Sequence, residues 1–253
     1  GSDVTALTLR NSAGAATDLH SADGLGVSGL TGDRAFDNTA STDMGGSGGR
    51  ADQADLGAID ALTSFTLQGW FKTAGSTAIG GGSGQSKAVL LHNTSRIGKP
   101  VNKKGFELYG SSGYFKLEVD DGAVSTSATS EYGDTQSWIF FAVTYNGSST
   151  SNNVKFYKGS ASSEVTQVGT GTINKEQVEN DTDGLGIGNE RGSNDSPFDG
   201  FLDNIRIFGS QSDNSGALTL TQLDSIRAGD VPPTVSSTSP LNGATGVAIN
   251  STI

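Results

Sequence analysis

The sequence predicts an all-β fold, on three observations. Of 253 residues 37 are glycine, Ser and Thr are abundant, and hydrophobic content is 33 %. That is low for a compact helical domain but suits many short strands joined by Gly, Ser and Asn loops. Nine runs have strand character, most of them bounded by Gly, Ser, Asn or Asp, and a single segment carries a well-formed helix signal.

In chain order the strands are expected at residues 4–9, 65–72, 87–92, 106–109, 115–119, 138–145, 154–157, 185–187 and 201–208. Within 65–72, Phe65, Leu67, Gly69 and Phe71 alternate with Thr66, Gln68, Trp70 and Lys72, the period of a strand with two unlike faces. Residues 138–145 are apolar on both faces, as a central strand covered on both sides should be. In 201–208, Leu202, Asn204, Arg206 and Phe208 alternate with Asp203, Ile205 and Ile207. Asp203 thus sits where a strand with a buried face tolerates charge least. It calls for a cation, backbone N–H groups or an arginine, because an unpaired buried carboxylate costs several kcal/mol or more.

The helix follows. Thr219 and Gln222 form a capping box, Leu220, Leu223 and Ile226 have helical spacing, and Gly229 is expected to supply a left-handed stop after about two turns. Such a helix should lie on the sheets as a plug. Beyond Asp230, Val231-Pro232-Pro233-Thr234 reads as a stiff extended linker and residues 239–247 as turn-rich. The expected division is a domain over 1–230 and, over 231–253, a Pro-rich linker with the truncated start of another module. Gly1-Ser2, with no initiator Met, reads as the scar of a cleaved tag on a piece of a larger protein.

Composition excludes several functions. There is no Cys, so neither disulfides nor thiolate metal sites arise, while oxygen-ligand metals stay open. The net charge of −11 disfavours nucleic acid and anionic membranes, and no apolar run approaches the roughly 18 residues of a membrane span. The charge is segregated: residues 61–106 hold no Asp or Glu but carry Lys72, Lys87, Arg96, Lys99, Lys103 and Lys104.

Three segments in order, residues 64–72, 137–147 and 198–208 with the helix over 217–226, resemble the laminin-G-like, concanavalin-A-like jelly-roll family of bacterial secreted proteins. The resemblance covers nearly all of residues 1–230, and the tail from Pro232 resembles the opening strand of bacterial immunoglobulin-like repeats. It implies a two-sheet antiparallel jelly-roll sandwich with one curved sheet. It also implies a secreted or cell-surface location, in multidomain proteins that are often carbohydrate-active enzymes or adhesins. In that family the aspartate matching Asp203 commonly helps hold a structural calcium on the convex side, with main-chain oxygens and residues near the N-terminal strand. Asp18, Asp37 and Asp199 are the further ligand candidates, and backbone amides or Arg206 are the alternative partners of Asp203. Calcium suits a Cys-free chain, since it takes about 6 to 8 oxygen ligands.

Other constellations bear on binding and catalysis. Residues 179–190 place acids as an EF-hand loop does, with Gly184 at the sixth position. Leu185-Gly186-Ile187-Gly188 reads instead as a strand that would carry Glu190 some 20 Å from Gly184. Glu179, Asp181 and Asp183 are left as a local calcium turn or a solvated acidic loop. Arg96, Lys99, Lys103 and Lys104 form a basic rim loop able to select sulfate or carboxylate groups of an anionic, algal-type polysaccharide, or else merely solubilise it. Tyr109, Tyr114, Tyr132 and Phe198 stand beside loops as exposed platforms for a sugar ring, whereas Trp70 and Trp138 match core positions of the family. For catalysis the nearest pair of acids is Glu118-Val119-Asp120-Asp121, which runs into Gly122, and no nucleophile elbow or phosphate loop is present. The expectation is a non-catalytic, calcium-stapled, monomeric carbohydrate-binding module covalently linked to other domains. The alternative is an adhesin or spacer module with a protein partner or no ligand.

Overall fold

The computed structural model describes residues 26–30, 33–38, 49–53, 57–74, 87–94, 103–125, 132, 136–180, 184–190 and 196–231, and the backbone of 8–10. Their strands are β1 (Thr8–Arg10), β2 (Phe36–Asp37), β3 (Arg50–Gln53), β4 (Ser64–Thr73), β5 (Ala88–Thr94), β6 (Gly105–Ser111), β7 (Tyr114–Val119), β8 (Gly122–Ser125), β9 (Ile139–Asn146), β10 (Val154–Ser160), β11 (Thr166–Gly171), β12 (Leu185–Ile187) and β13 (Gly200–Ser210), followed by helix α1 (Leu220–Asp230). They make two antiparallel sheets, one in the order β1-β3-β12-β5-β6-β7-β8 and one in the order β11-β10-β9-β4-β13-β2. This is the expected jelly-roll sandwich with one short helix.

The inter-sheet core follows from the alternation read in the sequence. Phe65, Leu67 and Phe71 of β4 and Phe141, Val143 and Tyr145 of β9 meet Phe106 and Leu108 of β6 and Phe115, Leu117 and Val119 of β7. Each such side chain contributes about 1.5–3 kcal/mol on burial. The opposite faces of β4 and β9 are also covered: Trp70, Phe140 and Ala142 form a second cluster with Tyr157, Val165 and Leu223 of α1. Residues 139–145 are thus buried on both faces, by the facing sheet and by the helix.

Four strands have no counterpart in the expected set: β2, β3, β8 and β11. β2 has two residues, the four residues of β3 are Arg-Ala-Asp-Gln, and β11 is Thr-Gln-Val-Gly-Thr-Gly on a sheet edge. Backbone pairing to a neighbour, not an apolar face, makes them strands.

β13 departs from regular alternation. Its register with β4 shifts between Asp203 and Arg206, and Asn204 takes a φ of +49°, a left-handed conformation that Asn tolerates better than most residues. This bulge inverts the parity of the strand. Leu202 before it and Ile205 and Ile207 after it all pack on the inter-sheet core, so Asp203 and Arg206 turn outward. Gly69 makes room for the shift, since a Cβ there would lie 2.3 Å from Ile205 Cδ1.

The capping box at Thr219 and Gln222 forms as read, but the helix ends differently. It runs through Gly229 to Asp230 and stops at Val231 in an extended conformation, with no left-handed glycine. Tertiary bonds hold the last turn instead: Asp230 accepts from Trp70 Nε1 at 3.0 Å and from both terminal nitrogens of Arg206 at 3.0 and 2.8 Å. The guanidinium offsets a carboxylate that the helix dipole disfavours at this end. Leu220 is exposed, and Leu223 and Ile226 face the sheet. The expected linker and further module over 232–253 lie outside the described residues.

Candidate functional site

Because Phe106, Leu108, Leu117 and Val119 point inward, Glu107, Tyr109, Lys116 and Glu118 occupy the outer face of the seven-stranded sheet. Cross-strand pairing then aligns His92 with Glu107, Glu107 with Glu118, and Tyr109 with Lys116. A continuous row of polar and charged groups results, and most of it is shielded from water. Glu107 is 1 % exposed, and His92, Glu190 and Asp52 are also buried.

Cations are interleaved with these acids. Lys87 forms ion pairs with Glu107 and, at 2.8 Å, with Glu190, and its ammonium lies 4.7 Å from the Tyr109 ring centre. Glu118 accepts from Tyr109 Oη at 2.9 Å and pairs with Lys103 at 2.5 Å and Lys116 at 3.2 Å. The two carboxyls are driven apart. Burial raises the pKa of Glu107, Lys87 opposes that, and Glu190 and Glu118 add to it. Burial would raise Glu118 as well, but Lys103 and the hydrogen bonds from Tyr109 and Lys116 bring it down to about 2. Tyr109 is pushed up by burial and by the Glu118 charge.

A neutral-leaning acid beside a firmly ionised one is the electrostatic pattern of an acid–nucleophile pair. Glu107, however, is too enclosed to reach a glycosidic oxygen. The part of the face open to solvent is its edge, at Lys103, Lys104 and Tyr114. Glu107 and Lys87 are absent from the sequence-derived site, although the alternation Phe106-Glu107-Leu108-Tyr109 against Phe115-Lys116-Leu117-Glu118 already placed the polar residues on one face.

The expected binding residues separate. Lys103 and Tyr109 converge on Glu118, and Tyr114 opposes Ser111 where β7 begins, half-buried and near enough to act on Tyr109. Lys104 is half-exposed and lies 3.5 Å from Glu179. Tyr132 is not an exposed platform: it is fully buried, stacks on Phe115 at 3.9 Å and donates to the Tyr157 carbonyl. Phe198 is likewise buried, edge-on to Phe71. Tyr109 is 8 % exposed, with the Lys87 and Lys116 ammoniums over its ring, so no sugar face stacks there. In each case the ring fills the sandwich or its charged outer row, while its flanking residues resemble a loop. Arg96 and Lys99 lie outside the described residues.

Of the four expected calcium ligands, Asp18 is outside the described residues. Asp203 Oδ2 accepts from Val27 N and Oδ1 from Asn204 N, both at 2.7 Å, so backbone amides meet its charge and the turn after Gly26 is tied to β13. Arg206 is committed to Asp230. Burial raises the Asp203 pKa, Asp33 and Asp230 adding to it. Asp37 opposes Phe201 across β2 and β13, and its charge adds to burial in raising Asp199. Two carboxylates so placed match the oxygen donors calcium prefers. Among the described residues, no three His, Cys, Asp or Glu side chains cluster as a metal site.

No protein-family model matches the chain, nor does any curated protein sequence. Solved structures do share its fold. The CBM40 domain of the Ruminococcus gnavus IT-sialidase superposes with a TM-score of 0.51 at 14 % identity, over 74 % of this chain and 95 % of that one. The same domain bound to α2,3-sialyllactose gives 0.50 at 13 % identity, over 74 % and 94 %. The enzymatically active domain of tailspike protein 2 from bacteriophage CBA120 gives 0.52 at 6 % identity, over 84 % of this chain and 30 % of that one. At such identities the likeness is one of fold. No described helix is long and apolar enough to cross a membrane.

Proposed function

We propose that this chain is a non-catalytic carbohydrate-binding domain of a larger secreted protein, and that it engages a polysaccharide on the outer face of the seven-stranded sheet. The observation that carries the reading is the ordered row of Lys87, Lys103, Lys116, Glu107, Glu118 and Tyr109, whose accessible rim at Tyr114, Lys103 and Lys104 supplies donors and an aromatic edge. A fold shared with a CBM40 domain that binds sialyllactose supports it. Lys103 and Lys104 are paired with carboxylates, so selection of an anionic, algal-type chain falls to Arg96 and Lys99. Single-site affinity is expected to be weak, and the avidity of the parent protein raises it.

Affinity electrophoresis against neutral, uronate and sulfated polysaccharides tests this. The protein should be retarded by at least one of them, and a Lys103→Ala/Tyr114→Ala double variant should be retarded less. Migration unaffected by every glycan overturns the reading. Structural calcium belongs to the same proposal, held by Asp37 and Asp199 with main-chain oxygens. Melting should rise by several degrees in calcium over chelator, and Asp199→Asn should abolish the difference. Superimposable melts reject the metal.

A further inference from the structure

On the other side of the sandwich, a groove of about 360 Å³ lies between the outer face of β9, β10 and β11 and the segment that leads into α1. Its volume is at the low end of the ~300–1,000 Å³ of small-molecule sites, room for one sugar unit and not for a chain. Thr144, Lys155, Tyr157 and Gln167 form the floor, and Asn214 and Leu220 are on the wall. No Asp or Glu lines it among the described residues, although the protein carries a net charge of −11. Among the described residues Lys155 is its sole charged group.

The wall is fixed in place. Thr66 Oγ1 donates to the Gly216 carbonyl at 2.7 Å, Gly216 N donates to Ser64 Oγ at 3.0 Å, and Leu218 N donates to Thr66 Oγ1 at 2.9 Å. Gly216 itself approaches β4 so closely that a Cβ would lie 2.3 Å from the Ser64 carbonyl oxygen. The groove therefore exists before any ligand arrives, which lowers the ordering cost of binding. Its polar groups are also unspent: the side chains of Lys155, Gln167 and Asn214 are exposed and make no hydrogen bond or ion pair among the described residues. Leu220, 45 % exposed, sets an apolar patch at the lip.

We propose that this groove is a second glycan site, specific for a single sugar unit that bears a carboxylate. Lys155 would take the anion, the Gln167 and Asn214 amides the ring hydroxyls, and Leu220 the C–H face. The proposal rests on the chain being a glycan-binding protein but uses none of the residues of the seven-stranded face. It gives one domain two binding sites on opposite sheets, able to join two chains or two branches.

The test is a titration of the ¹⁵N-labelled protein, followed by amide shifts. Sodium D-galacturonate and N-acetylneuraminate are the acidic probes and methyl β-D-galactoside the neutral one. The expected result is saturable shifts at residues 144–157, 166–169 and 214–220 with an acidic probe, weakened about tenfold by Lys155→Ala and unchanged by Lys103→Ala. No shifts at these amides with either acid, or equal affinity for the neutral galactoside, overturns the proposal. So does a Lys155→Ala variant that binds as wild type. Groove shifts in a protein that no polysaccharide retards would sink the seven-stranded face as the site while leaving the groove. Retardation without groove shifts would do the reverse.

Discussion

On the outer face of the six-stranded sheet, α1 closes over Trp70, Phe140 and Tyr157 with Leu223, whereas the matching face of the seven-stranded sheet carries Glu107, Glu118, Lys87 and Lys116 in a row. Both faces are largely withdrawn from water, so burial does not distinguish them. The difference lies in what burial accomplishes. On the helical side it gains apolar contact and a cap for the helix end. On the charged side it strengthens every electrostatic interaction: burial raises Glu107 and would raise Glu118, but Lys103 and the hydrogen bonds from Tyr109 and Lys116 bring Glu118 down. Buried ion pairs add little net stability over apolar packing, and it is on this face that the polysaccharide site is proposed.

The comparison breaks most sharply at Trp70. It is fully buried, sits edge-on to Phe140 at 5.4 Å and donates to Asp230. Trp70→Ala should cost about 3–5 kcal/mol, read as a lower midpoint in urea unfolding, with polysaccharide affinity at the seven-stranded face of the folded protein unchanged. A loss of affinity at constant fold would show that the two faces are coupled through β4 and the core.

The helical side was legible in the sequence because its signals are local. Strand 65–72 alternates, 138–145 is apolar throughout, and Thr219 with Gln222 announces the helix. The end of α1 escapes the local signal because Asp230 is held by Trp70 and Arg206, each distant in sequence. The bulge in β13 was hidden because residues 201–208 alternate well enough on paper, and Asn204 is the lone hint of a left-handed residue. For the charged side, alternation put Glu107 and Glu118 on outer faces, but only register brings them opposite one another. Tyr132 departs from expectation for a related reason: Gly133 and the polar residues around it resemble an exposed loop, yet its ring stacks in the core.

Within the charged row, Glu118 should stabilise the fold. Its folded pKa, about 2, lies below the unfolded value, so its contribution is fully present above about pH 4.5 and is lost as pH falls toward 2. A shift of this size corresponds to about 3 kcal/mol, which solvent screening at the half-buried site reduces to about 1–2 kcal/mol. Glu118→Gln should therefore lose about 1–2 kcal/mol at pH 7 in urea unfolding, with the deficit shrinking below pH 4.5. A deficit independent of pH would mean that the side chain acts through packing and not through charge.

Glu107 should behave in the opposite sense and by less. Burial raises its folded pKa, so stability is highest where the group is protonated in both states. It declines as pH climbs from the ordinary carboxylate value to the raised one, and the penalty persists at neutral pH. Removing one partner of a buried pair is normally severe because it strands the other charge. Here Lys87 keeps Glu190 at 2.8 Å, so no ammonium is left alone. Glu107→Gln should change stability at pH 7 by between about zero and a gain of 1 kcal/mol, and flatten the decline that begins as pH climbs past the ordinary carboxylate value. A loss of more than about 2 kcal/mol, at the scale of an uncompensated buried charge, would show that Glu107 and not Glu190 is the principal partner of Lys87. The acidic side of the row would then be held together for stability, as the helical face is, and the contrast between the two faces would narrow to one of composition.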